Sequence, residues 1–169
     1  MIRKSTLFVL LAAIALGAAV YYFDWRRSQK ENEKPSSDSD KLAYSIQPQD
    51  VNSLTITHPR NSAEPVLHFE KPSGTWQVTQ PIETQADQFS LEGIVNSLSS
   101  ARIAQTEPGT PDRLKVFGLD PPAVSIEFQT QNGAKHTLAL GNKDFTGISV
   151  YAIVDAAKDV ALLPESLLV

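Results

Sequence analysis

Ser5 to Phe23 is an uncharged run dominated by Leu, Ala, Val, Ile and Phe, and it constrains this chain more than any other segment. As an α-helix rising about 1.5 Å per residue it reaches roughly 28 Å, close to the hydrocarbon thickness of a bilayer. Arg3 and Lys4 precede it. Tyr21, Tyr22 and Trp25 stand at its far end, where an aromatic belt meets the membrane–water interface, and Arg26 and Arg27 follow. No face of the run is polar, which argues against a helix half-buried in a globular core. A cleaved signal peptide needs a shorter apolar core ending in small residues. Here Ala13-Ile14-Ala15 lies inside the run, and Val20 to Phe23 continue it. The expectation is an uncleaved transmembrane anchor over residues 5–23, with residues 1–4 as a cytoplasmic N-terminus.

Orientation is less sharply written. Lys and Arg near the two ends of the run are almost balanced, so the positive-inside rule has little to act on. The short basic start is the usual form of an export signal-anchor. The remainder of the chain is acidic and lacks basic clusters. Both features place the bulk of the chain on the extracytoplasmic side of the inner (cytoplasmic) membrane.

Charge divides along the same line. The net charge of −4 sums a +3 segment over residues 1–34 and a −7 remainder. Across that division, residues 24–43 are nearly all charged or small and polar, with Pro35 and a Ser/Asp run. Such a stretch has no face to bury and is expected to be a flexible tether.

From Tyr44 the texture changes, and residues 44–169 are expected to form one extracytoplasmic domain. Val51 to Thr57, Val66 to Glu70 and Thr75 to Thr79 read as strands, with Leu54, Ile56, Leu67, Phe69, Trp76 and Val78 as core candidates. Leu91, Ile94, Val95 and Leu98 have the spacing of one buried helix face. Asp87 or Thr84 is placed to cap that helix, and Thr84-x-x-Asp87 has capping-box spacing. Glu107 to Asp112 reads as a loop, and Leu114 to Phe117 as a turn of helix. Val124, Ile126 and Phe128 alternate with polar residues. Asn132-Gly133 is a strong hairpin signal, and Lys135 to Leu140 is the return strand. Ser149 to Val154 and Asp159 to Leu163 complete the strands, and Pro164 to Leu168 suggests a terminal helical turn. Strands and helix are segregated. The expected fold is therefore α+β, with mostly antiparallel β meanders and one amphipathic helix packed on the sheet.

Chemistry is sparse. The chain has no Cys, which excludes disulfides, thiolate metal sites and thiol nucleophiles. His58, His68 and His136 lack metal-ligand spacing, and no cofactor motif occurs. Gly141 to Gly147 lacks the order of a phosphate loop and reads as a β–β loop. An acidic domain with dispersed cations disfavours nucleic acid.

Gly74-Thr-Trp76, Pro81, Ala86-Asp87, Phe117-Gly-Leu-Asp-Pro-Pro122, Asn132-Gly133, Leu140-Gly141, Gly147, Tyr151, Val160 and Pro164 follow in an order that resembles the bacterial domain-of-unknown-function family 4340. The resemblance covers about residues 44–168, and Gly-Leu-Asp-Pro is its most distinctive piece. It implies an extracytoplasmic domain on one N-terminal helix. Some members of that family accompany ABC-type transport components, including ones linked to gliding motility, and the resemblance carries over no catalytic residue.

The expected function is a non-catalytic protein-interaction module in a membrane complex, with sheet edges open to a partner strand. The alternative is a module binding a small molecule or envelope polymer, with a site lined by Trp76, Tyr151 and the Gly141–Gly147 loop, including Lys143 and Phe145. An enzyme using His68 or His136 with a carboxylate is the third reading, and it needs both groups in one cleft.

Overall fold

A computed structural model describes residues 41–168 of the chain. The anchor expected at 5–23 and most of the tether lie outside the described residues. Among those described, no helix is long and apolar enough to cross a membrane. Residues 41–43, which composition assigns to the tether, are joined to the domain. Ala43 N donates to Ala101 O at 2.8 Å, Ile103 N donates to Lys41 O at 2.9 Å, and Leu42 bridges to Arg102.

Nine strands among the described residues form one sheet. Four precede the main helix: β1 (Val51–Thr57), β2 (Leu67–Glu70), β3 (Gln77–Gln80) and β4 (Thr84–Gln85). After helix α1 (Gln88–Ser100) come β5 (Gln105–Pro108) and helix α2 (Pro111–Val116). The chain closes with β6 (Val124–Thr130), β7 (Lys135–Lys143), β8 (Ser149–Val154) and β9 (Asp159–Pro164). The spatial order is β4-β3-β2-β1-β6-β7-β8-β9-β5, and every pairing is antiparallel. The two expected meanders are thus fused through β1 and β6, and the α+β class with a mostly antiparallel sheet holds.

Alternation decides the faces. Leu54 pairs with Phe69 on one side and Phe128 on the other, and Ile126 faces Leu138 across β6 and β7. These side chains all enter the main core. The buried residues of α1, Leu91, Val95 and Leu98, close over them. Asp87 caps α1, accepting from Phe89 N at 3.0 Å and Ser90 N at 3.3 Å. The Ser90 hydroxyl donates to its other oxygen, which with these amides holds the Asp87 carboxyl below the ordinary carboxylate range. Thr84 takes no part in the cap, because it pairs with Val78 in β4.

Residues 107 and 108, expected in a loop, belong to β5 instead. Gln105 to Pro108 run along Leu162 to Asp159 of β9 as the outermost strand. Proline has no N–H to donate, so it is tolerated at such an edge. The other edge, β4, is two residues long. Helix α2 starts three residues earlier than expected, at Pro111, where a proline's fixed φ suits the first turn.

The opposite face of the sheet is mainly polar around β1, β2 and β6. Toward β8 and β9 it also covers buried apolar side chains. Leu119 and Val160 are buried there without belonging to the main core.

Candidate functional site

Trp76 precedes β3 in phase with Val78, so it shares the core face, and it is only 1% exposed. Its backbone is tied to the start of α1. Trp76 N donates to Gln88 Oε1, and Gln88 Nε2 donates to Trp76 O, both at 2.8 Å. Tyr151 lies between buried Val150 and Ala152 on β8, and therefore on the opposite face. There it stacks on Phe117 with ring centroids 4.0 Å apart. The structure does not bring Trp76 and Tyr151 together. It does bring Lys143 and Phe145 together, at the turn between β7 and β8.

That turn is built around Asp144. Its carboxylate accepts from the Thr146 hydroxyl at 2.7 Å and from Ser149 N at 3.1 Å. Its backbone accepts from Gly147 N at 3.1 Å, and Gly147 has φ +74°. The Thr146 hydroxyl, followed by the backbone amides, holds the Asp144 carboxyl below its usual range. The result is a fixed turn that displays Phe145 at 97% exposure and Ile148 at 71%. Lys143 Nζ sits 2.6 Å from Glu165 Oε2 at its base.

The Phe117–Pro122 stretch clamps α2 to the base of β7. Asn142 N donates to Phe117 O at 2.8 Å, and Asn142 Nδ2 donates to Val116 O at 3.2 Å. Arg60, far away in sequence, donates to Pro121 O, Gly118 O and Asn142 Oδ1. Gly118 has φ +66°, and a Cβ there would overlap both Arg60 Nη2 and Asn142 Oδ1. A left-handed non-glycine residue costs about 1–2 kcal/mol. The overlapped atoms are side-chain ends that can swing aside, but doing so gives up Arg60 hydrogen bonds of the clamp, worth about 1 kcal/mol each. Gly118→Ala is expected to lose about 2 kcal/mol of unfolding free energy in urea titration. A loss under about 0.5 kcal/mol, the usual range for a neutral surface change, contradicts the clamp.

The histidines sit in three separate places, each with a carboxylate. His58 Nδ1 lies 3.0 Å from Glu64, and His136 Nδ1 lies 2.9 Å from Asp155. His136 is packed against the Tyr44 and Phe128 rings, which also contact each other. Burial, and then the Asp155 charge, push the Tyr44 hydroxyl far above its ordinary pKa, so it remains a donor, here to Thr137 O at 2.6 Å. His68 Nδ1 meets the Thr55 hydroxyl at 2.7 Å, and its Nε2 lies 3.3 Å from Glu70. Among the described residues no group of three or more His, Cys, Asp or Glu is placed to hold a metal.

His68 and Glu70 also line a polar concavity of about 860 Å³ on the open face of the sheet, together with Asn52, Ser53, Gln129 and Gln131. Sequence reasoning missed this site. Its residues come from β1, β2 and β6 and the segment just after β6, and each reads alone as an outward polar residue of a half-buried strand. Only the register gathers them.

No curated protein and no solved structure matches the chain. A family model described as "Domain of unknown function (DUF4340)" matches residues 76–168. The match begins at Trp76, so β1 and β2 lie before it although they are hydrogen-bonded into the same sheet. It contains the Phe117–Pro122 clamp, the Asp144 turn and the Tyr151 stack, and it spans more than half of the chain, which therefore belongs to the DUF4340 family.

Proposed function

We propose that this protein is a membrane-anchored, non-catalytic interaction module, and that it docks a protein partner through the turn between β7 and β8. The observation that carries the reading is Phe145, 97% exposed on a turn fixed by the Asp144 hydrogen bonds. A large apolar ring held in water by a rigid turn loses little conformational freedom when it enters a partner's pocket. Aromatic anchors of this kind dominate interface energetics. Ile148 widens the apolar tip, and the Lys143–Glu165 pair supplies a polar rim. The anchor at 5–23 and the tether after it hold the domain outside the inner membrane, beside a transport or envelope complex.

The absence of cysteine makes the test clean, because any introduced thiol is the only one. Lys143→Cys, at the base of the turn with Phe145 left in place, and Glu92→Cys, on α1, are both exposed positions. In spheroplasts, a membrane-impermeant maleimide is expected to label both. A maleimide–succinimide crosslinker is expected to capture a discrete partner band from position 143 and not from 92. Labelling only after permeabilisation would reverse the topology. Equal capture from both positions, or from neither, would sink the docking turn.

A further inference from the structure

We infer that Asn132 is a spontaneous modification site gated by the fold, one that deamidates through a succinimide only while the β6–β7 hairpin is open. The site is independent of the docking turn, which lies at the opposite end of the β6–β7 pair. Gln129 faces Lys135 at the hairpin end, whereas Val124 faces Leu140 toward the other.

Asn132-Gly133 is the only Asn–Gly or Asp–Gly pair in the chain. Such a pair is labile because glycine has no Cβ to hinder its nitrogen from reaching the preceding side chain. The Gly133 main-chain nitrogen gives up its proton to base and attacks Asn132 Cγ. The new N–Cγ bond closes the cyclic imide, the Cγ–Nδ2 bond breaks, and the leaving nitrogen takes up a proton and departs as ammonia. Water then opens the imide at either carbonyl, leaving aspartate or isoaspartate. Water is the only co-reactant.

The hairpin exposes this pair and also locks it. Asn132 and Gly133 are both exposed, and a Cβ on Gly133 would meet nothing within 4 Å, so water and base reach the turn. The nucleophile, however, is tied down. Gly133 N donates to Thr130 O at 2.8 Å. Asn132 Oδ1 accepts from Ala134 N at 3.0 Å and from the Thr130 hydroxyl at 2.6 Å. Thr130 is 3% exposed, and its own N donates to Ala134 O at 2.9 Å. The side chain is thus held at its carbonyl end, while the nitrogen that must attack it keeps its proton in a hydrogen bond. Loss of that proton is also the first step of amide hydrogen exchange, and hydrogen-bonded amides exchange through local opening. Deamidation at Asn132 and exchange at Gly133 therefore share one gate.

The test holds the full chain in detergent micelles at mildly alkaline pH, beside a synthetic peptide of residues 128–137 in the same buffer. Peptide mapping by mass spectrometry follows aspartate and isoaspartate at position 132. Hydrogen exchange is followed at the Gly133 amide. Asn132 in the chain is expected to react at least about tenfold more slowly than in the peptide, because the hairpin must open first. Thr130→Val removes the hydroxyl donor and leaves the main-chain bonds in place. It is expected to speed the reaction in the chain by about fivefold, the worth of one hydrogen bond, and to change nothing in the peptide. In parent and variant alike, slowing at Asn132 is expected to follow exchange protection at Gly133. The inference is overturned if the chain reacts as fast as the peptide or faster, since the two donors on Oδ1 would then be activating the amide rather than locking it. An unchanged rate in a folded Thr130→Val chain overturns it too. So does an Asn132 that stays intact while the Gly133 amide exchanges freely, a comparison that stands on the parent chain even if the variant folds poorly.

Discussion

A chain cut to residues 76–168, the stretch that carries the family match, is expected not to fold cooperatively. That stretch omits β1 and β2, which lie between β3 and β6 in the sheet. Without them the β3–β4 pair has nothing to attach to. The core loses Val51, Leu54, Ile56 and Phe69 at once. Burying a Val, Leu, Ile or Phe side chain stabilises by about 1.5–3 kcal/mol each, so the four together match a domain's whole margin of about 5–15 kcal/mol. The cut also leaves β6 as an open edge of seven residues rich in Val, Ile and Phe, a template for aggregation. Residues 41–168, with the sheet complete, are expected to be soluble and to melt in one transition. Thermal melts and amide spectra of the two chains decide the matter, and a dispersed spectrum with a sharp melt for 76–168 would refute the argument.

Trp76→Ala is the point substitution with the largest expected cost. The ring is 1% exposed and sits in the main core, with Lys71 Nζ 5.6 Å above it. Truncating a buried Trp to Ala costs about 3–5 kcal/mol. Its ties to Gln88 use only backbone atoms of Trp76, so the start of α1 keeps those hydrogen bonds. The loss should therefore appear as global destabilisation, lowering the melting temperature by roughly 10 °C or more. Phe145→Ala, made on a ring with no core contact, should shift stability by under about 0.5 kcal/mol. Partner capture should respond in the reverse order at temperatures where both variants are folded. If Trp76→Ala leaves the melt unchanged, the core assignment of that ring is wrong.

The contrast between these two aromatic residues shows what the sequence carried. Trp76 and Phe145 both stood out as candidate interaction residues. Alternation with Val78 had also made Trp76 a core candidate, the role its burial shows, while Phe145 stood in a β–β loop. The main core was legible because Val124, Ile126 and Phe128 alternate, and because Leu91, Val95 and Leu98 recur at helical spacing. The hairpin at Asn132-Gly133 was legible because Gly133 supplies φ +86°. Strand β5 was not, since Gln105-Thr-Glu-Pro has no apolar alternation and exists as a strand only through pairing with β9. The Arg60 clamp and the β6 side of the concavity depend on partners 58 or more positions away along the chain, which no local pattern encodes.

The two short ends of the sheet have a consequence for crowding. An edge two residues long at β4, and one ending in Pro108 at β5, offer neighbouring molecules almost no main-chain ladder to extend. Copies gathered on one surface at high density would therefore remain separate units rather than zip into ribbons. Recognition is left to side chains on the turn and the open face, where it can be selective and reversible.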